Sequence, residues 1–248
     1  MEAVEYQNIY ASEESHFYYR AVHALILQLV DKYRNKSIGK PAILEAGCGT
    51  GLLSLKLKEI GEVSAVDMHD DALRYSHARG VNSIKASVEA LPFADAGFDI
   101  VTSVDVIYHK NVADDVQALK EFRRVLKPDG VLVMRVPARA ELYCSHDDLV
   151  WTARRYRSSE LTAKLKTANF EPLIVSYCHS LLYVPALAKA KVEKILGGEP
   201  HSGVSQTNEA VNSLMIRLLD AESKMIVSGI KMPIGLGLVA VAKRLPNR

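Results

Sequence analysis

The sequence of 248 residues predicts a doubly wound α/β domain, and three features predict it. A short apolar run, residues 42–44, meets three glycines at alternating positions, Gly47, Gly49 and Gly51, and a helix-like apolar pattern follows at once. A second short strand, residues 63–66, ends in Asp67, twenty residues beyond Gly47. A doubly wound sheet places at that point the acid that accepts hydrogen bonds from ribose hydroxyls. Beyond it, helical and extended patterns keep alternating: a helix over 70–79, a strand over 81–86, a strand over 98–103,.

The glycine loop says most about the ligand. Glycine has no Cβ and tolerates positive φ, so a strand, glycine turn and helix N-terminus let backbone N–H groups approach a bound molecule. The spacing is G-x-G-x-G rather than the dinucleotide G-x-G-x-x-G, and no Lys or Arg occurs between Gly47 and Lys56, so a P-loop is excluded,. Glu45 closes the preceding strand. A carboxylate there repels a pyrophosphate and attracts a ligand carrying an ammonium and a sulfonium, which points to a cationic adenosyl compound.

At these residues the chain resembles the class I S-adenosylmethionine-dependent methyltransferases, type 11 group. The resemblance is strong from Ile43 to Pro137, and its second anchor is EFRRVLKPDGVLVMRVP from Glu121, which resembles the family's fourth helix and fifth strand. It implies a Rossmann-like sheet of seven strands with an antiparallel last strand, S-adenosylmethionine as cofactor, and methyl transfer by in-line displacement. Two other classes stay open at this point: a non-catalytic S-adenosylmethionine-binding regulatory protein, and an NAD-dependent oxidoreductase resting on Asp67 and the fold alone.

Before the glycine loop, residues 13–33 read as one helix with Ser12 as N-cap, and residues 1–40 as a helical lid,. In relatives such a helix closes over the cofactor, which makes Arg20 a candidate clamp on its carboxylate. The helix after the loop, 52–60, is expected to end at Gly61 in the C-cap role,. The expected cofactor wall comprises Glu45, Gly47, Cys48, Gly49, Gly51, Asp67, Met68, Ser87, Val88 and Asp105. Ser87 stands where the family has an Asp for the adenine amino group, so its hydroxyl supplies one neutral hydrogen bond there.

The strand over 98–103 delivers DVIYH to the ligand edge of the sheet,. His109 is the candidate general base, because only its side chain there titrates near neutrality. Tyr108, with His146 and Arg155 from the polar segment ARAELYCSHDDLVWTARRYR, makes the candidate acceptor contacts. A helix over 113–126, a turn at 127–130 and a strand from Val131 complete the core (residues 41–184). Two helices, 185–196 and 208–228, separated by Gly197 to Pro200, form an insertion (185–230) before the last strand and tail (231–248). The insertion reads as an acceptor cap, a cover for the sheet, or a surface through which two copies could pair.

Composition excludes more than it proposes. Lys and Arg exceed Asp and Glu by two (31 against 29), and no basic, aromatic-interleaved face or Asn-Pro-Pro-aromatic motif occurs, so a nucleic-acid acceptor is not expected,. The acceptor is instead expected to be a small molecule or a lipid- or sugar-linked metabolite. Cys48, Cys144 and Cys178 share no metal-ligand spacing; no metal is expected, and reduced thiols suit a cytoplasmic protein,. The first residues carry no signal-peptide pattern and no apolar run reaches membrane-spanning length,.

Overall fold

The computed structural model describes residues 1–197 and 207–246. Its elements run α1 (Ala3–Ser12), α2 (Phe17–Tyr33), β1 (Ala42–Ala46), α3 (Leu52–Leu57), β2 (Glu62–Asp67), α4 (Asp70–Ala78), β3 (Ser83–Lys85), β4 (Phe98–Val104), α5 (Asp115–Val125) and β5 (Leu126–Pro137). There follow α6 (Ser145–Leu149), α7 (Ser158–Thr167), β6 (Phe170–Cys178), α8 (Tyr183–Leu196), α9 (Glu209–Ser228) and β7 (Gly237–Arg244). Seven strands form one sheet in the order β3-β2-β1-β4-β5-β7-β6. The first five are parallel, and β7 runs antiparallel between β5 and β6.

Strand alternation divides the core into two layers. Ile43, Ile100, Val133, Val239 and Val241 face one side, where Leu25, Ile26 and Leu29 of α2, Leu53 and Leu57 of α3, and Ile226 of α9 cover them. Leu44, Val101, Leu132, Met134 and Ala240 face the other, against Leu119 and Phe122 of α5 and Leu161 and Leu165 of α7. The sequence therefore reads correctly as doubly wound, because the central strands β1, β4 and β5 carry apolar residues on both of their faces,.

The structure corrects several expectations. The N-terminal region is two helices, not one: Ser12 ends α1, and His16 caps α2 by accepting a hydrogen bond from the Tyr18 N–H (3.3 Å). Glu13 breaks the run, for its buried carboxylate takes Arg79 and the Thr50 hydroxyl as partners, which holds the joint between the helices onto the glycine loop. Gly61 is no C-cap. Helix α3 stops at Leu57, and glycine is required at 61 because a Cβ there would lie 2.2 Å from the Pro41 carbonyl oxygen.

The insertion is two helices with different roles. Helix α9 packs along α2, where Gln28 donates to Asp220 (3.2 Å), so it completes a layer over the sheet. Helix α8 buries only Ala190 and leaves Val184, Val192, Ile195 and Leu196 exposed. The expected separator residues Gly198, Glu199 and Pro200 lie outside the described residues. Among the described residues no helix is long and apolar enough to cross a membrane.

Candidate active site

A cavity of about 310 Å³ opens at the C-terminal ends of β1, β2 and β4 and is walled on the other side by α1 and α2. Of the expected cofactor residues it is lined by Glu45, Gly47, Cys48, Gly49, Asp67, Met68, Val88 and Asp105. The loop geometry explains this grouping. Gly47 has φ +88°, and a Cβ would lie 2.2 Å from Val106 Cγ2, so the segment that follows β4 presses directly against the loop,. Asp67 accepts from the Gly49 N–H (2.9 Å) and the His69 N–H (3.0 Å), which fixes its carboxylate at the cavity wall.

Glu45 is 2% exposed and accepts the Ser54 hydroxyl proton. Burial pushes its carboxyl up to about 8, with the hydrogen bond from Ser54 opposing that and the charges of Glu13 and Asp67 adding to it,. Without a cation beside it this carboxyl is largely protonated at neutral pH. Its charge is therefore supplied only on demand.

Three expected cofactor contacts do not line the cavity. Arg20 is exposed on the outer face of α2. Gly51 caps α3 behind the loop, where it abuts Ser76. Ser87 turns its hydroxyl oxygen to the Glu89 N–H (3.2 Å), leaving Ala86 and Val88 on the wall. Ser87→Ala is accordingly expected to change S-adenosylmethionine affinity less than about threefold, under 1 kcal/mol, by calorimetric titration.

The acceptor-side residues Tyr108, His109, His146 and Arg155 all line the cavity, and the partners of His109 and Arg155 are specific. His109 Nδ1 accepts from the Asn111 N–H (3.1 Å), and Nε2 lies 3.0 Å from the Met1 amine. Burial, with that amine and His69 adding to it, pushes His109 down to about 4. Arg155 donates to both oxygens of buried Asp147 (2.9 Å each) and to the Ala138 carbonyl (3.0 Å). Its guanidinium holds the loop after β5 rather than standing open to an acceptor.

Sequence reasoning gives no site role to Tyr6, Tyr18, Tyr19 and His23, which wall the cavity from the N-terminal helices, or to Arg135 beneath them. Arg135 is 2% exposed near the C-terminal end of β5, pairs with Asp105, and donates to the Tyr18 hydroxyl oxygen (2.8 Å). Its signal was available: an arginine within VLVMRVP requires a buried anion,.

A parallel sheet with a reversed strand β7, a glycine loop after β1 and an acid ending β2 define a methyltransferase-type Rossmann-like domain. Residues 44–134 match the type 11 methyltransferase family, described as a methyltransferase domain, and over that stretch the chain is similar to the class I S-adenosylmethionine-dependent methyltransferases. It is 31% identical over 162 residues to a malonyl-[acyl-carrier protein] O-methyltransferase of Pseudescherichia vulneris, covering 60% of this chain and 64% of that one. Over 104 residues it is 35% identical to a ubiquinone/menaquinone biosynthesis C-methyltransferase of Shewanella woodyi, covering 37% and 41% respectively. The matched region thus spans less than two thirds of these relatives. The crystal structure of a Thermotoga maritima S-adenosylmethionine-dependent methyltransferase, a possible histamine N-methyltransferase, superposes with a TM-score of 0.60 at 21% identity, over 97% of this chain and 95% of that one. At that identity the likeness is one of fold.

Proposed function

We propose that the protein transfers the methyl group of S-adenosylmethionine to a small-molecule or lipid- or sugar-linked acceptor. The observation that carries this is one cavity shared by the glycine loop, Glu45 and Asp67 on one side and Tyr18, Tyr19, Tyr108 and His146 on the other. Above Gly49 no atom lies within 4 Å of where a Cβ would be, so the loop has room for a ligand. The cofactor supplies an electrophilic methyl on a sulfonium. Glu45 receives its ammonium, Asp67 its ribose hydroxyls, and Met68 and Val88 flank its base. The tyrosine wall excludes water and holds the acceptor in line, which accounts for much of the rate. The names of the relatives span O-, C- and possible N-methylation, so they do not select the atom.

The test is transfer of labelled methyl into a fractionated cell extract, with Asp67→Ala alongside. Label in the small-molecule or lipid fraction, absent with the variant, is expected; label in protein or nucleic acid would overturn the acceptor class. No label in any fraction would overturn the activity.

Glu45 gives a second expectation. A carboxyl at about 8 must ionise to face an ammonium, so binding near pH 7 should release roughly one proton per cofactor. Calorimetry in buffers of different ionisation heat measures this, and Glu45→Gln should abolish it. In the ligand-free protein the same raised carboxyl contributes stability that is full below the unfolded carboxylate range and is lost as pH rises to about 8,. Binding without proton release would show that the ammonium lies elsewhere.

A further inference from the structure

We propose that helix α8 is a docking helix for the surface of a bilayer that carries anionic lipids. Over its 14 residues it buries Ala190 alone. At about 100° per residue, Val184, Val192, Ile195 and Leu196 fall on one arc directly opposite Ala190, and so point away from the body. Val184 is 67%, Ile195 81% and Leu196 77% exposed. Exposed aliphatic side chains scattered singly are ordinary, but four on the outward arc of one helix make a patch, and a patch marks an interaction site. Its borders are basic. Lys191 and Lys194 lie along one edge of the arc and Lys189 along the other. The helix has one acid, Glu193, which is turned to the body, where it accepts from the Ser145 N–H (2.8 Å) and pairs with Lys189 (3.6 Å). The outward face therefore presents aliphatic side chains and positive charge, with no carboxylate from its own helix.

That pattern suits a membrane interface. The aliphatic face enters the headgroup boundary, the lysine stems run along it, and their ammonium groups stay in water beside the lipid phosphates. A second copy of this chain fits less well, because a two-fold pairing of this face with itself sets lysine edges against lysine edges. A groove on another protein also fits less well: the arc has no Trp, Tyr or Arg anchor, and its cation is Lys, which protein interfaces disfavour. The seat of the helix gives docking a consequence. Helix α8 rests on the turn Ala140–Leu142, where the Tyr183 hydroxyl donates to Glu141 (3.4 Å), and Glu193 holds Ser145, the first residue of α6. The next two residues, His146 and Asp147, line the cavity. A docked α8 therefore holds the acceptor side of the cavity close to the bilayer, which selects the lipid-linked acceptor from the classes proposed above. That selection rests on the methyl-transfer reading; the docking itself does not.

The test is sedimentation of the full chain with vesicles of phosphatidylcholine alone and of phosphatidylcholine with about one third phosphatidylserine. The wild type should partition onto the anionic vesicles at least about tenfold better than onto the neutral ones, and lose that preference in about 0.5 M salt. Ile195→Ser/Leu196→Ser and Lys191→Glu/Lys194→Glu should each lower partitioning at least about tenfold. Both should keep the melting temperature and S-adenosylmethionine affinity of the wild type, because all four side chains are exposed. Wild type that stays in solution beside anionic vesicles, or either variant binding as well as wild type, would overturn the proposal. So would a wild-type dimer in light scattering that Ile195→Ser/Leu196→Ser converts to a monomer, which gives the face to a second copy. Docking with methyl label confined to water-soluble molecules would overturn the lipid-linked acceptor. Docking with no label in any fraction would overturn the methyl-transfer reading and leave the docking surface standing.

Discussion

Arg135→Leu is expected to lower the unfolding free energy by about 3–5 kcal/mol in urea denaturation at neutral pH. Arg135 is buried and its partner Asp105 half-buried, and removing the cation alone leaves that carboxylate without its paired countercharge. The penalty has a pH signature. With Arg135 gone, the Asp105 carboxyl rises further above its unfolded value, so the variant should recover stability as pH falls and lose most at high pH. Adding Asp105→Asn to Arg135→Leu should return most of the loss, because a pair replaced as a whole leaves no uncompensated charge. A single variant as stable as wild type at pH 8 would mean the pair contributes nothing to the fold.

Asp67→Ala is expected to weaken S-adenosylmethionine binding about 100-fold. Two hydrogen bonds from ribose hydroxyls to a charged carboxylate are each worth about 1.5 kcal/mol or more. The same carboxylate fixes Gly49 and His69 through their N–H groups, so the loop loosens as well. Asp67→Asn keeps the shape and loses the charge, and should fall between the two. Affinity unchanged in Asp67→Ala, measured by calorimetry, would remove the ribose from this wall.

The doubly wound core was legible because its signals are local. Alternation in β1, β4 and β5, the glycines and the strand-end acid lie within short windows, and the structure places the strands, the glycine turn after β1 and Asp67 at the end of β2 as expected, with Gly51 alone of the three glycines off the cavity wall. What the sequence concealed depends on distant pairing. Helix α1 buries only Glu5 and Tyr6, so it shows little periodicity. Glu13 interrupts the next helix because of Arg79, far along the chain. The Asn111 N–H on the His109 ring and the burial around it depend on the fold and leave no sign in the sequence. Ser87 followed the family's pattern by position, yet its hydroxyl found a nearer backbone donor. Arg135 was the one missed residue with a local sign, a charge embedded in an apolar strand.

The position of β7 has a consequence for how the molecule assembles. Among the strands of the sheet β6 pairs with β7, which is the later of the two along the chain and joins the sheet between β6 and β5. During synthesis β6 and the helix α7 that packs on it therefore wait without a sheet edge to join until the whole α8–α9 segment has emerged. Such long-range closure is slow, and it leaves two strand edges unpaired meanwhile. In pulse-labelling hydrogen exchange during refolding, the amides of β6 should gain protection in the same phase as those of β7 and after those of β1 and β4.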